Sequence, residues 1–165
     1  GMDEIAEWCD MLSKLTGNRG NGYYERKKAE YDTEIARIRP QTEGKKAVFY
    51  TRQDKKLNAQ MDVLRDLGME VSAIFSWPVL VEYHDPWDDR YPDVPRITGI
   101  DICRLRKECE RMGVDLIVSG DLRTGRTGFP WFRYPSQYLG MECGLEFAHR
   151  VRNAMIANPR LEWRD

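Results

Sequence analysis

The stretch that most constrains the fold lies between residues 44 and 76, where two short apolar segments flank a helical one. Both apolar segments are rich in β-branched and aromatic residues, and we predict strands over residues 46–51 and 70–76. Leucine and methionine recur at helical spacing between them, which predicts a helix over residues 55–67. Because this crossover is far too long for a hairpin, the two strands are predicted to be parallel, with a right-handed connection. Gly68 follows the last apolar turn, where a glycine ends a helix at low cost.

A third strand, over residues 114–119, completes the pattern that defines the fold class. It follows a helix whose apolar face is Ile102, Leu105, Cys109 and Met112. Thr98–Asp101 resembles a capping box at the start of this helix, and Gly113 is placed to end it. Residues 120–135 are predicted to be a loop and residues 141–157 a final helix. The order predicts an α/β fold with an open parallel, Rossmann-like sheet of three or four strands flanked by helices.

An N-terminal helical pair is predicted ahead of the first strand. Residues 3–15 form an amphipathic helix, and a second, highly charged helix ends before Pro40. The apolar face of the first helix consists of Ile5, Trp8, Leu12 and Leu15. We divide the chain into a helical extension over residues 2–40 and an α/β unit over residues 41–165. The sequence leaves open whether the two helices pack on the sheet or extend to a partner chain.

Charge and composition exclude several classes of partner. The 26 basic and 27 acidic residues give a net charge of -1, which creates no field that attracts nucleic acid or an anionic membrane. Neither a bilayer-spanning segment nor a secretory signal is recognisable, which predicts a soluble, cytoplasmic protein. The cysteines, Cys9, Cys103, Cys109 and Cys143, form no C-x-x-C pair. Their scatter argues against a zinc ribbon and a disulfide framework, and predicts reduced thiols.

The best candidate for a binding site is the segment that follows the third strand. It combines glycines, arginines and hydroxyl side chains at the carboxyl edge of the predicted sheet, where open α/β sheets bind ligands. Arginine offers a planar donor fork suited to carboxylate or phosphate, and glycine admits a ligand to the backbone. The alternative interpretation is a glycine-rich connector with exposed arginines. We expect the following residues to line a depression, with the first at its rim: Arg52, Ser119, Gly120, Arg123, Arg126 and Gly128.

Most of the remaining groups of polar residues are interpreted as having structural roles. The loop after the first strand, residues 50–56, contains no glycine, which argues against a dinucleotide at this turn. His84 and the neighbouring aspartates lie among prolines and match no known metal cage, so we interpret them as a solvated loop. Cys109 lies on an apolar stripe, which leaves Cys103 and Cys143 as candidate metal or redox ligands.

Several short motifs follow one another in a characteristic order. They are Leu15-Thr16-Gly17, Gly44–Val48, Leu67–Val71, Gly113–Gly120, Tyr138–Gly140, Phe147-Ala148 and Asn158-Pro159. Their order and spacing resemble the C-terminal part of nitrogenase component 1 subunits. The resemblance implies an oxidoreductase-type α/β domain that works beside two similar domains, with metal clusters or a tetrapyrrole substrate bound between them.

The resemblance also sets expectations for cofactors and partners. In the family, iron–sulfur cysteines lie in an N-terminal domain that has no counterpart here, and the position of the cofactor-ligating histidine falls at about Pro130, which has no side-chain donor. We therefore expect no cofactor on this chain alone, and an iron–sulfur or other metal cluster only with partner domains. The expected partner is a nitrogenase-like domain or subunit, or a second copy in a homodimer. The chain is then part of, or derived from, a multi-domain reductase and not catalytic alone. The alternative is a non-catalytic module that binds a small anionic ligand or a partner protein.

Overall fold

The helices and the three central strands follow one another in the order that the sequence predicts, with short elements in addition. The computed structural model describes residues 2–17, 22–51, 57–77, 90–133 and 141–157. Within these ranges, the helices α1 to α5 span Met2–Thr16, Tyr23–Ile38, Asn58–Asp66, Ile102–Met112 and Met141–Ile156. The strands β1 to β5 span Lys46–Thr51, Glu70–Ser76, Arg96–Ile97, Leu116–Ser119 and Trp131–Arg133. In the same described ranges, 3₁₀ helices span Arg39–Gln41 and Leu122–Thr127.

The strands form one parallel sheet in the order β3-β2-β1-β4-β5. The predicted parallel pairing of β1 with both β2 and β4 is confirmed. In the register, Thr51 lies beside Ser76, and Tyr50 lies beside Ser119. The α/β class and the N-terminal helical pair are confirmed as well.

Two edge strands raise the strand number from the predicted three or four to five among the described residues. β3 and β5 have two and three residues, too few for an alternating pattern to be recognised in sequence. Residues 120–135 were predicted to be a loop, and this prediction is wrong at the second 3₁₀ helix and at β5. Each edge strand forms by pairing with one neighbouring strand: β3 pairs with β2, and β5 pairs with β4.

The sheet separates two hydrophobic cores. Along β1, Ala47 and Phe49 point to the core beneath α2, α3 and α5, while Val48 and Tyr50 point to the core beneath α4. A strand that is buried on both faces has a continuous run of apolar residues, and this run made β1 recognisable from the sequence.

The turn before β1 is tied to the end of α3. Gly68 ends this helix at φ 74°, as predicted. Its carbonyl oxygen accepts from the amide of Gly44 at 2.9 Å, and Thr42 Oγ1 donates to the carbonyl oxygen of Leu67 at 2.7 Å. These bonds fix where β1 enters the sheet.

α4 begins one turn later than the predicted capping box requires. Asp101 is the N-cap itself, and its carboxylate accepts from the amide of Arg104 at 2.8 Å. Thr98 therefore does not cap the helix. Gly113 ends α4 at φ 65°, as predicted.

The two N-terminal helices differ in how they join the domain. α2 contributes Tyr31, Ile35 and Ile38 to the core under the sheet, whereas none of the α1 side chains that the structure describes, from Ile5 to Thr16, belongs to either core. Gly144 lets α5 approach α2 closely, because a Cβ there would lie 3.3 Å from the ring of Tyr31. None of the helices in the described ranges is long and apolar enough to cross a membrane.

Candidate functional site

The carboxyl ends of β1, β2 and β4 meet at one edge of the sheet because the three strands are parallel. The segment after β4 therefore lies beside the end of β1, as the sequence analysis required for a ligand site. Arg52, expected at the rim, lies outside the described residues, as do His84 and its neighbouring aspartates.

Hydroxyl groups of the segment after β4 bond one another. Ser119 is fully buried, and its Oγ accepts from the Asp121 amide at 2.9 Å and from Thr124 Oγ1 at 2.8 Å. Thr127 Oγ1 donates to the carbonyl oxygen of Thr124 at 2.8 Å. This network folds the segment into the second 3₁₀ helix, so Ser119 braces the edge of the sheet from inside.

Asp121 is the residue that the sequence analysis missed. Its carboxylate caps the second 3₁₀ helix, accepting from the Arg123 amide at 2.9 Å. The same carboxylate accepts from Arg123 Nε at 2.9 Å and forms an ion pair with Nη2 at 2.7 Å. An aspartate two residues before the group it accepts from is a common turn pattern, and this was the available signal.

Arg123 is held in place at the edge of the sheet. Its guanidinium carbon lies 5.2 Å from the centre of the Trp77 ring, and that ring packs on Tyr50 at 5.5 Å. The hydrogen bond and the charge of Asp121 raise the pKa of Arg123 above its ordinary value. Although it is more than half exposed, Arg123 presents a fixed donor group next to the ends of β2 and β4.

Arg126 and the glycines have different roles. Arg126 is exposed and has no ion-pair partner in the part of the chain that the structure describes. Gly128 ends the second 3₁₀ helix at φ 81°, and Gly120 is exposed. At Gly125 a Cβ would lie 3.1 Å from Trp131 Nε1, so a larger residue there would have to displace the Trp131 ring. The structure thus joins Ser119 to Arg123 through Asp121 and leaves Arg126 as the available cation.

Tyr50 connects this edge to the core beneath α4. Its hydroxyl donates to the carbonyl oxygen of Ile100 at 3.2 Å. Burial, and secondarily the charge of Asp121, raise the pKa of Tyr50 to about 12. The phenol is therefore neutral at physiological pH and serves as a structural donor.

A groove of about 560 Å³ lies between α2 and α3, toward the end of α3 away from this edge. Its acidic groups are already bonded within the chain. Asp62 accepts from the hydroxyl of Tyr91 and, at 2.8 Å, from Arg90 Nη2, while Asp66 accepts from the hydroxyl of Tyr31 at 2.7 Å. These contacts join α2, α3 and the segment before β3.

The thiols do not form the donor set of an iron–sulfur cluster within one copy of the chain. None of the four cysteines forms a disulfide. Cys109 is buried, and burial raises its pKa to about 12, which disfavours the thiolate that a metal needs. Cys103 on α4 and Cys143 on α5 belong to helices on opposite faces of the sheet. Among the described residues, no group of three His, Cys, Asp or Glu side chains is placed to hold a metal ion.

Comparison with known proteins adds a family to this geometry. The family model described as nitrogenase component 1 type oxidoreductase matches residues 1–156. A solved structure titled "Nitrogenase Cp1 at pH 6.5" superposes with a TM-score of 0.67 and 15% identity, covering 95% of this chain and 38% of that chain. A second, "Nitrogenase Cp1 at pH 5", has a TM-score of 0.71 and 13% identity, covering 99% of this chain and 43% of that chain. By these coverages, the chain spans about two fifths of the length of the two solved chains. No curated protein matches the sequence.

Proposed function

Because the chain belongs to the nitrogenase component 1 type oxidoreductase family, we propose that it acts as one α/β domain of a multi-domain reductase. The observation that carries this proposal is the match of nearly the whole chain to only part of a longer nitrogenase chain. A chain of this kind supplies one wall of a shared site, and nitrogenase-like partner domains or subunits supply the rest. It is not catalytic alone.

The carboxyl edge of the sheet is the wall that we assign to the shared site. Asp121 and Trp77 hold the guanidinium of Arg123 there, and Arg126 adds an exposed cation on the same 3₁₀ helix. Such donors bind and orient a carboxylate or phosphate group of a substrate. Asp121 neutralises much of the charge of Arg123, so Arg126 provides the larger net attraction.

Partner association is tested by purifying the tagged chain from its native host under strictly anaerobic conditions. We expect it in the cytoplasmic fraction, bound to an iron–sulfur protein with reductase activity that the isolated chain lacks. Recovery of the chain without such a protein, with or without reductant, would contradict the multi-domain proposal.

We further propose that this chain alone holds no metal cofactor, because its thiols do not converge. Iron and sulfide are measured after anaerobic purification and after reconstitution, and we expect neither in stoichiometric amount. A brown protein with about four iron atoms per cluster, lost on Cys143→Ser or Cys103→Ser, would show instead that two copies share a cluster.

A non-catalytic anion-binding module is the second candidate, favoured by the exposed Arg126. Titration of the isolated chain with inorganic phosphate and with citrate, followed by NMR, tests it. We expect Arg126→Ala and Arg123→Ala to weaken binding, and Arg37→Ala to leave it unchanged. Arg37 is a matched control because it is about half exposed on α2 and paired with Glu34. Equal effects of all three substitutions would indicate nonspecific charge attraction.

A further inference from the structure

The 3₁₀ helix after β4 repeats its environment every three residues. Thr124 and Thr127 are both buried, and Thr127 Oγ1 donates to the carbonyl oxygen of Thr124. This is the period of a 3₁₀ helix, in which side chains three positions apart are eclipsed. Arg123 and Arg126 are the corresponding pair one position earlier, and both are exposed. The two arginines therefore start from one face of the helix, with Cα atoms about 6 Å apart.

The guanidinium of Arg123 has one donor edge occupied and one edge available. Its Nε and Nη2 atoms contact the Asp121 carboxylate at 2.9 and 2.7 Å. A guanidinium carries five N–H donors, so both hydrogens of Nη1 and one hydrogen of Nη2 remain. In the described part of the chain, these hydrogens donate to no other group. Because Asp121 and the Trp77 ring hold the guanidinium in place, its available edge is oriented before a ligand arrives.

Arg126 keeps its whole donor fork. It forms neither an ion pair nor a hydrogen bond with any residue that the structure describes. Asp121 offsets the charge of Arg123, so the two arginines and this carboxylate together keep one net positive charge. The available donors are therefore a fixed edge on Arg123 and an adjustable fork on Arg126.

We propose that Arg123 and Arg126 together bind the phosphate group of a phosphate monoester, in preference to a carboxylate. This inference rests on the assignment of the carboxyl edge of the sheet to a shared binding site. A carboxylate has two oxygens, and a single guanidinium fork satisfies both of them in a bidentate pair. A second arginine then adds charge but little hydrogen bonding.

A phosphate monoester uses both arginines. It has three terminal acceptor oxygens and a charge of about -1.5 to -2 at pH 7. When two of its oxygens pair with the fork of Arg126, the third still accepts from the available edge of Arg123. Because that edge is already held by Asp121 and Trp77, ordering it costs little on binding.

The preference is measured by NMR titration of the whole chain with methyl phosphate and with acetate at constant ionic strength. Each probe carries one methyl group, so the two differ in the anionic group. We expect methyl phosphate to bind at least about tenfold more tightly than acetate, as one additional charge-assisted hydrogen bond predicts.

A double-mutant cycle separates bridging from the larger charge of phosphate. Arg126→Ala and Arg123→Lys should each weaken methyl phosphate binding about tenfold, and the double variant should lose clearly less than the product of the two. Arg123→Lys keeps the charge beside Asp121 but lacks the planar second edge. For acetate, only Arg126→Ala should have an effect. Arg111→Ala is the control, since Arg111 is 68% exposed on α4 and paired with Glu108, and it should change neither affinity.

The outcomes distinguish the phosphate preference from the site itself. Equal affinity for the two probes, or losses for methyl phosphate that multiply in the double variant, would overturn the phosphate preference and leave anion binding at Arg126 in place. Affinities that Arg126→Ala changes no more than Arg111→Ala does would overturn both the preference and the assigned wall. Because both arginines are exposed, every variant should keep the circular dichroism of the parent chain.

Discussion

At Asp121, a single carboxylate bonds both the backbone and the side chain of Arg123. The side chain of Asp121 is 8% exposed, so its charge depends on these donors for compensation. Ser119 and Thr124 brace the same turn from the buried side. The position of Arg123 thus depends on a neighbour two residues earlier.

Replacing Asp121 separates its two roles. Asp121→Asn keeps an oxygen for the Arg123 amide but removes the ion pair, whereas Asp121→Ala removes both. We expect losses in unfolding free energy of about 1 kcal/mol for Asn and about 2 kcal/mol for Ala. Urea denaturation measures them, with the exposed Asp93→Ala as control. Equal losses for Asn and Ala would show that the cap contributes nothing.

Buried tyrosines should make the unfolding free energy decrease at alkaline pH. Burial, with the hydrogen bond to Asp62, raises the pKa of Tyr91 from its ordinary value of 10 to about 12. The folded state holds this proton more tightly than the unfolded state, so the contribution is complete below pH 10 and is lost as pH rises toward 12.

The unfolding free energy should therefore fall between pH 10 and pH 12, and less steeply in Tyr91→Phe than in the parent chain. At pH 8, Tyr91→Phe should cost about 1 kcal/mol for the lost hydrogen bond. Urea titrations at pH 8, 10 and 11 measure both effects. If the unfolding free energy of Tyr91→Phe fell with pH as steeply as that of the parent chain, Tyr91 would be excluded as a source of the pH dependence.

Among the elements, α4 shows how a helix start can be misplaced by one turn. Threonine three residues before an acidic residue predicts a cap at Thr98, but the chain at Asp101 is still extended, with ψ 172°. Thr98 follows β3 directly, and Gly99 has a φ of 73°, so the chain bends after Thr98 and does not begin the helix there. The next residue with a capping oxygen therefore begins the helix.

The two possible caps are distinguished by a pair of substitutions. Asp101→Ala should lower the unfolding free energy by about 1 kcal/mol, because the Arg104 amide loses its acceptor. Thr98→Ala should change it by less than about 0.5 kcal/mol, as expected for an exposed side chain. Thermal and urea unfolding provide both values. A larger loss at Thr98 would support the capping box instead.

For the whole molecule, the two N-terminal helices have unequal roles. α2 places Tyr31, Ile35 and Ile38 in the core, while the described side chains of α1 lie outside both cores. A division at residue 40 stays a prediction about independent folding. A division there removes α2, and with it the core side chains that α2 contributes, so it should lower the unfolding free energy of the remainder.

Two shortened chains test this point. A chain without residues 2–21 should remain folded, with an unfolding free energy within about 2 kcal/mol of the parent, because it loses little buried apolar area. A chain without residues 2–40 should not fold, since each large core side chain removed costs about 2–5 kcal/mol against a typical total of about 5–15 kcal/mol. Circular dichroism and urea titration decide. Cooperative unfolding of the second chain would establish residues 41–165 as an independent unit.

Local patterns in the sequence determined the central part of the fold. β1, β2 and β4 are apolar runs, and the helical segments between them carry a clear period, so their order required a parallel sheet. Gly68 and Gly113 identified two helix ends because a positive φ favours glycine whatever the surroundings. In the candidate site, the same reasoning placed the segment after β4 at the carboxyl edge of the sheet.

Tertiary structure decided the rest, because the deciding contacts join residues far apart in the chain. β3 and β5 are strands only by pairing with their neighbours, and Arg123 lies on Trp77, 46 positions earlier in the chain. The heptad-like spacing of α1 identified its apolar face, but periodicity does not specify what that face meets. The structure turns the small side chains of α1 toward the domain and leaves Trp8 and Leu15 outside, because the cores beneath the sheet are already filled by α2, α3, α4 and α5.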